Sequence, residues 1–161
     1  MTSNYYPINI DGLTTREAIT DCIYRCILAV DTSDETLYDS SYFNSPDALF
    51  ELAGQMKIQG SEAIRKHLVS HIFNITTLHH VTNLRVFDID EIEGTAKVAC
   101  YAMAYHQRPE DAFKSIKPAF VRGARYEIEV AKDNDDGLWK VKTWTIRPHW
   151  TDGDRNYVLG L

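Results

Sequence analysis

The hydrophobic period of the chain changes once, and that change constrains the fold more than any other feature. From Thr14 to Val30, apolar residues recur at Ala18, Cys22, Ile23, Cys26, Ile27 and Val30, at helical spacings. This is the one-sided stripe of an amphipathic helix, with Thr14 or Thr15 as its cap and Glu17 near its first turn. From His80 onward the repeat falls to every second residue. Strand-like runs cover His80–Ile89, Thr95–Gln107, Ala119–Lys132 and Leu138–Arg147. A turn at Glu91–Gly94, a loop over Arg108–Lys117 and an acidic hairpin turn at Asp133–Gly137 separate them. Helices first and an antiparallel meander afterwards predict the α+β class, with helices packed on one side of a curved sheet.

Shorter elements fill the interval. Asp34 can cap a short helix over Glu35–Ser40. Ala48–Ala53 and Gln55–Gln59 read as a hairpin about Gly54. Gly60 and Ser61 open another helix, with Ser61 as its cap and Ala63, Ile64, Leu68, Val69 and Ile72 as its contacts. No repeat, low-complexity tract or linker divides the 161 residues, so they read as one domain with its core at about residues 13–150.

Charge narrows the partners. The formal net charge is −6 and the densest charged cluster, Asp133, Asp135 and Asp136, is acidic. That disfavours nucleic acid and anionic membrane surfaces. No apolar run approaches the ~18 residues of a membrane span. Residues 1–11 show no basic start followed by an apolar stretch, so a cytoplasmic location is expected. Of the three cysteines, Cys22 and Cys26 share a helix face, and all three suit buried small hydrophobes better than metal ligands.

The run Thr95–Gln107 suggests a pocket. Ala96, Val98, Cys100, Ala102, Ala104 and His106 share one face, and Lys97, Ala99, Tyr101, Met103 and Tyr105 the other. Small side chains on the concave face of a sheet leave volume unfilled. His106 closes that row as either a satisfied core histidine or a pocket group. Only one of the adjacent His79 and His80 can point inward, and alternation does not say which. On the first helix, Tyr24, Ile27 or Leu28, and Asp31 fall on one face, so Asp31 and Tyr24 can approach the strand histidines if that face meets the sheet. Trp139, Trp144 and Trp150 suit core or rim packing. Tyr101, Met103 and Tyr105 would suit an interface of a dimer or trimer.

Several short patterns carry a family resemblance. They are Cys22-Ile-Tyr-Arg25, Val30-Asp31-Thr-Ser-Asp34, Gly60-Ser-Glu-Ala-Ile64, Leu78-His-His80-Val-Thr-Asn83, Tyr105-His106-Gln-Arg108, Gly137-Leu-Trp139-Lys140 and Arg147-Pro-His-Trp150. In this order and spacing the chain resembles the SnoaL-like branch of the nuclear transport factor 2-like superfamily, and within it scytalone dehydratase and related dehydratases. The resemblance implies a cone of four to six bent strands capped by helices. It also implies catalysis without metal or organic cofactor. It places a catalytic aspartate on Asp31, the catalytic histidine on His80 and a second pocket histidine on His106. The two water-holding tyrosines of such sites fall instead on Val30 and near Leu52. A late-strand serine and asparagine fall near Tyr126–Glu129. Tyr24 and Tyr126 can supply phenols from other directions, with Trp144 beside the substrate.

The expected function is therefore that of a lyase, a dehydratase, acting on a small hydrophobic intermediate of polyketide or terpenoid origin. His80 would remove a proton beside a carbonyl, oriented by Asp31, while His106 bonds the carbonyl or the departing oxygen. An isomerase, cyclase or epoxide hydrolase on the same pocket is the alternative. A non-catalytic binding or dimerisation domain is the second alternative.

Overall fold

Thr14 starts the first helix because its side chain accepts from the Glu17 backbone while Glu17 reaches back to the Thr14 backbone, a complete capping box. In the computed structural model, which describes residues 5–114 and 119–160, this helix α1 runs Thr15–Thr32. It buries Ile19, Cys22, Ile23, Cys26 and Ile27 against the sheet. Ser33 ends it in the left-handed region at φ 54°. Asp34 then caps α2 (Glu35–Ser41), its carboxylate accepting from the Leu37 N–H at 2.9 Å.

The hairpin follows as β1 (Leu49–Leu52) and β2 (Met56–Gln59), turning at Gly54. Next comes a broken helix. α3 (Ser61–Ile64) passes through a π-helical turn (Arg65–Val69) into α4 (Ser70–Ile72). Ser61 does not cap it. The Ser61 hydroxyl donates to Asn44 instead, and Gly60 occupies the cap position.

Four long strands complete the sheet: β3 (Thr76–Asp90), β4 (Thr95–Gln107), β5 (Phe120–Lys132) and β6 (Trp139–Gly153). The order is β2-β1-β6-β5-β4-β3, antiparallel throughout except for the parallel β1/β6 pair. The α+β class and the helix-capped curved sheet are as expected. β4 has the expected bounds, and β3 and β6 extend beyond theirs. Of the loop expected over Arg108–Lys117, residues 115–117 lie outside the described residues. A last short helix, α5 (Arg155–Leu159), was not anticipated. Its Val158 and Leu159 form a small second cluster with Phe120, Ile72 and Ile75. Among the described residues, no helix is long and apolar enough to cross a membrane.

Two irregularities in β3 govern which side chains enter the fold. Its register with β4 shifts between Thr82 and Arg85 and again between Phe87 and Asp90, with Asn83 at φ 55° and Asp88 at φ 50°. Each shift is a β-bulge that inserts one surplus residue and exchanges the faces beyond it. Thr77, His79 and Val81 therefore face inward before the first bulge, and Leu84 and Val86 after it. His80 and Thr82 belong to the outer face, unlike the Leu84 and Val86 with which strict alternation groups them.

Elsewhere the core is ordinary. Arg25 is buried but fully engaged, bonding Asp21, the Ser40 backbone and hydroxyl, and the Trp139 carbonyl. The three cysteines are free and buried, and burial pushes the thiols up, to about 12 for Cys26 and Cys100.

Candidate active site

The concave side of the sheet is incompletely filled. A cavity of about 120 Å³ lies between the sheet and the helices. Its helical wall comes from Cys26, Ile27 and Val30 of α1, Tyr38 of α2, and Ile64, Leu68, Val69 and Ile72 of the broken helix. The sheet wall contributes His79, Ala104, His106, Arg122, Tyr126, Trp144 and Ile146. Ala104 is one of the small residues that suggested a hollow. Of the rest of that row, Ala96, Val98, Cys100 and Ala102 are packed in the core, and His106 lines the cavity.

Asp31 sits on the last turn of α1, where the helix end overlies the start of β3. Its Oδ1 is 2.6 Å from His79 Nδ1 and accepts from Thr77 Oγ1 at 2.7 Å. Its Oδ2 accepts the His79 backbone N–H at 2.9 Å. Burial alone would raise the carboxyl pKa, but the His79 bonds and charge, with Thr77, hold it below the ordinary range. Asp31 is therefore an acceptor, and the proton in the 2.6 Å contact belongs to His79 Nδ1. Nε2 is left as the basic nitrogen of a ring that lines the cavity.

The expected partner of Asp31 was His80. The structure corrects this to His79. The register sets His79 opposite Ala104, whose side chain points inward, and His80 opposite Met103, whose side chain points outward. His80 instead lies edge-on to Tyr105, with ring centres 5.8 Å apart. It belongs to a shallow outer groove that also holds Tyr101, Met103, His149 and Trp150. Tyr24 also departs from its expected place. It is 44% exposed, near Ile10, Leu13 and Thr20. It does share a helix stripe with Asp31, but seven residues earlier, roughly 10 Å back along the axis. Tyr126 and Trp144 do line the cavity, with ring centres 5.3 Å apart. Burial pushes the Tyr126 phenol pKa up, so that it remains a donor. Val30 reaches the cavity wall, whereas Leu52 is core.

His106 is 4% exposed, with its ring centre 5.9 Å from that of His79. Its Nδ1 lies 3.2 Å from the Phe120 carbonyl, which can only accept, so Nδ1 carries the proton. Burial, then the neighbouring His79 and Arg122 charges, lower its pKa to about 4, against an upward pull from Phe120. His106 is thus neutral, with Nε2 as an acceptor. This has a consequence for stability. An unfolded chain takes up the His106 proton near pH 6.5, whereas the fold refuses it until about 4. Between those values the unfolded state holds more protons, so stability falls as pH drops through the window, by about 3 kcal/mol at most. Denaturant melts at pH 7.5 and 4.5 check this. The expected His106→Leu profile is flatter than wild type across that interval.

Sequence reasoning missed two nitrogen-bearing groups of the cavity, along with the Tyr38 and Tyr42 phenols. One is His79. The other is Arg122, which follows Phe120 and precedes Ala124 and Tyr126 on the inward face of β5. A lone arginine in an otherwise apolar alternating row was a visible signal.

Residues 11–145 match the SnoaL-like domain family. The chain belongs to the SnoaL-like domain family. This SnoaL-like domain is 38% identical over 143 residues to terrestric acid biosynthesis cluster protein E of Penicillium crustosum, covering 89% of the chain and 88% of that protein. Among solved structures, it superposes on a candidate scytalone dehydratase from Novosphingobium aromaticivorans with a TM-score of 0.72 at 20% identity, over 87% of each chain. A hexachlorocyclohexane dehydrochlorinase, LinA-type3, from Novosphingobium barchaimii gives 0.66 at 19% identity, over 88% of this chain and 90% of that one. These likenesses support the nuclear transport factor 2-like cone as its fold.

Proposed function

We propose that the protein is an acid–base lyase, a dehydratase, acting on a small hydrophobic intermediate of secondary metabolism. The observation that carries this is the 2.6 Å contact between Asp31 and His79 at the wall of a mostly apolar cavity. The setting agrees with it. The Penicillium relative is named for a biosynthesis cluster, and both structural neighbours above are named for eliminations.

In this reading His79 Nε2 removes a proton from a carbon beside a carbonyl. The electron pair forms the new carbon–carbon double bond, and the hydroxyl on the next carbon departs. The His79 imidazolium returns its proton to that hydroxyl, which leaves as water. Asp31 holds the Nδ1 proton and balances the transient imidazolium charge. The Tyr126 phenol can donate to the substrate carbonyl. His106, with Nε2 unprotonated, can accept from a substrate hydroxyl rather than donate to an oxygen. The cavity is smaller than the ~300 Å³ at which drug-sized pockets begin, which favours a compact reactant.

The test uses the β-hydroxy carbonyl compound that accumulates when the gene is deleted. Purified protein in deuterated water is expected to release one water from it, read by mass spectrometry. Deuterium uptake without loss of mass would support an isomerase on the same residues. Neither elimination nor exchange would sink the acid–base reading.

A further inference from the structure

Arg122 is the group in the cavity that the proposed elimination leaves without a task. It is buried, 9% exposed, and lines the cavity wall. Its Nε is sealed from solvent with no hydrogen-bond partner, and among the described residues no carboxylate pairs with it. Its described contact is the Phe120 ring, 5.3 Å from the guanidinium carbon to the ring centre. Arg25 shows how this fold treats a structural arginine: also buried, it satisfies its guanidinium with Asp21, Ser40 and Trp139. A charge buried without a partner is among the costliest arrangements in a protein interior. A second cation aggravates it. After burial itself, Arg155 pushes the Arg122 pKa down, against an opposite pull from Tyr126, and its own Nε is likewise buried and unpartnered.

Position adds to this. His79, Ala104 and Arg122 form one row across three adjacent strands, because His79 pairs with Ala104 and Ala104 with Arg122. Strands lie about 4.8 Å apart, so the backbones of His79 and Arg122 are roughly 10 Å apart. Only the methyl group of Ala104 stands between them. The base and the cation thus flank an open gap, the arrangement needed to hold an anionic end of a ligand while a carbon near that end meets the imidazole.

We propose that Arg122 is the receptor for a carboxylate on the substrate, so that the protein acts on an organic acid and not on a neutral molecule. This rests on the lyase reading only for the word substrate; the binding itself is independent of turnover. A guanidinium presents two parallel donors that match a carboxylate, and the surrounding apolar wall strengthens that pair while excluding water. The same feature explains why the arginine is tolerated: it is unpaired only until the ligand arrives.

Benzoate and benzamide test the proposal, since they share a shape and differ in charge. NMR titration of the wild-type protein at neutral pH is expected to show benzoate bound at least about tenfold more tightly than benzamide. Arg122→Met should erase that preference by weakening benzoate far more than benzamide, and Arg122→Lys should retain part of it. The Met variant should also melt at the same temperature or higher, because it removes an unpaired buried charge. Equal affinities in the wild type, no binding of either probe, or a preference that survives in Arg122→Met would overturn the proposal. So would a lost preference accompanied by a melting temperature lowered by more than about 4 °C, which would assign the arginine to folding. A His79→Ala variant that keeps full turnover would sink the acid–base reading and leave the benzoate result intact.

Discussion

His79→Ala is expected to lower turnover by about 100- to 10,000-fold, the usual contribution of a positioned acid or base, with the fold intact. His80→Ala is expected to leave it within about twofold, as for surface substitutions away from special features. The two residues are neighbours, yet the sheet separates them. His79 bonds Asp31 beside the cavity, and His80 packs against Tyr105 on the outer face. Circular dichroism and melting temperature would establish that both variants fold. Steady-state rates on the same substrate would then decide. Equal losses in the two variants, or a loss confined to His80→Ala, would overturn the assignment of His79 as the base.

Asp31→Asn is expected to be at least as damaging, about 1,000- to 10,000-fold in turnover, as when a base is held in the wrong tautomer. The Asp31 carboxylate accepts from the Thr77 hydroxyl, the His79 backbone and His79 Nδ1. An amide has one accepting oxygen and one donating nitrogen, so it cannot serve all three. If its NH2 group faces His79, Nδ1 must lose its proton and Nε2 must gain one, which removes the base. The loss of satisfied contacts should also destabilise the fold by about 1–3 kcal/mol. The pH sign follows from the depressed carboxyl pKa. The fold favours ionised Asp31, so its contribution is present above the ordinary value of 3.8 and is lost as pH falls through the lower folded value. Urea melts of wild type and Asp31→Asn should therefore differ at pH 7 and converge below 3.8. An Asn variant with unchanged rates would reduce Asp31 to a helix-end residue.

Much of this arrangement was legible in the chain. The change of hydrophobic period gave the α+β class. Of the small β4 residues read as leaving a hollow, Ala104 lines it while Ala96, Val98, Cys100 and Ala102 pack in the core, and Asp31 was placed beside the strand histidines on the condition that its helix face meets the sheet. His106 was visible as a polar ring closing an apolar row. The choice between His79 and His80 was not legible, for a specific physical reason. Counting back by twos from the apolar pair Leu84 and Val86 arrives at His80. The surplus residue at Asn83 breaks that count, and an asparagine with positive φ inside a strand has no periodic signature. Tyr24 failed differently. A helix stripe gives direction about the axis, but not how far along it the neighbouring sheet extends. Arg122 was missed although its alternation was readable, because a strand arginine is ordinarily solvated.

The nitrogen-bearing polar groups of the hollow hang from the sheet, while the Tyr38 phenol of α2 stands on the facing wall. His79, His106 and Arg122 project from β3, β4 and β5, while the opposing side from α1 and the broken helix is aliphatic apart from Cys26. A flat reactant in this hollow would lie with one surface toward the histidines and the arginine and the other toward mostly aliphatic side chains, so its two surfaces would not be equivalent.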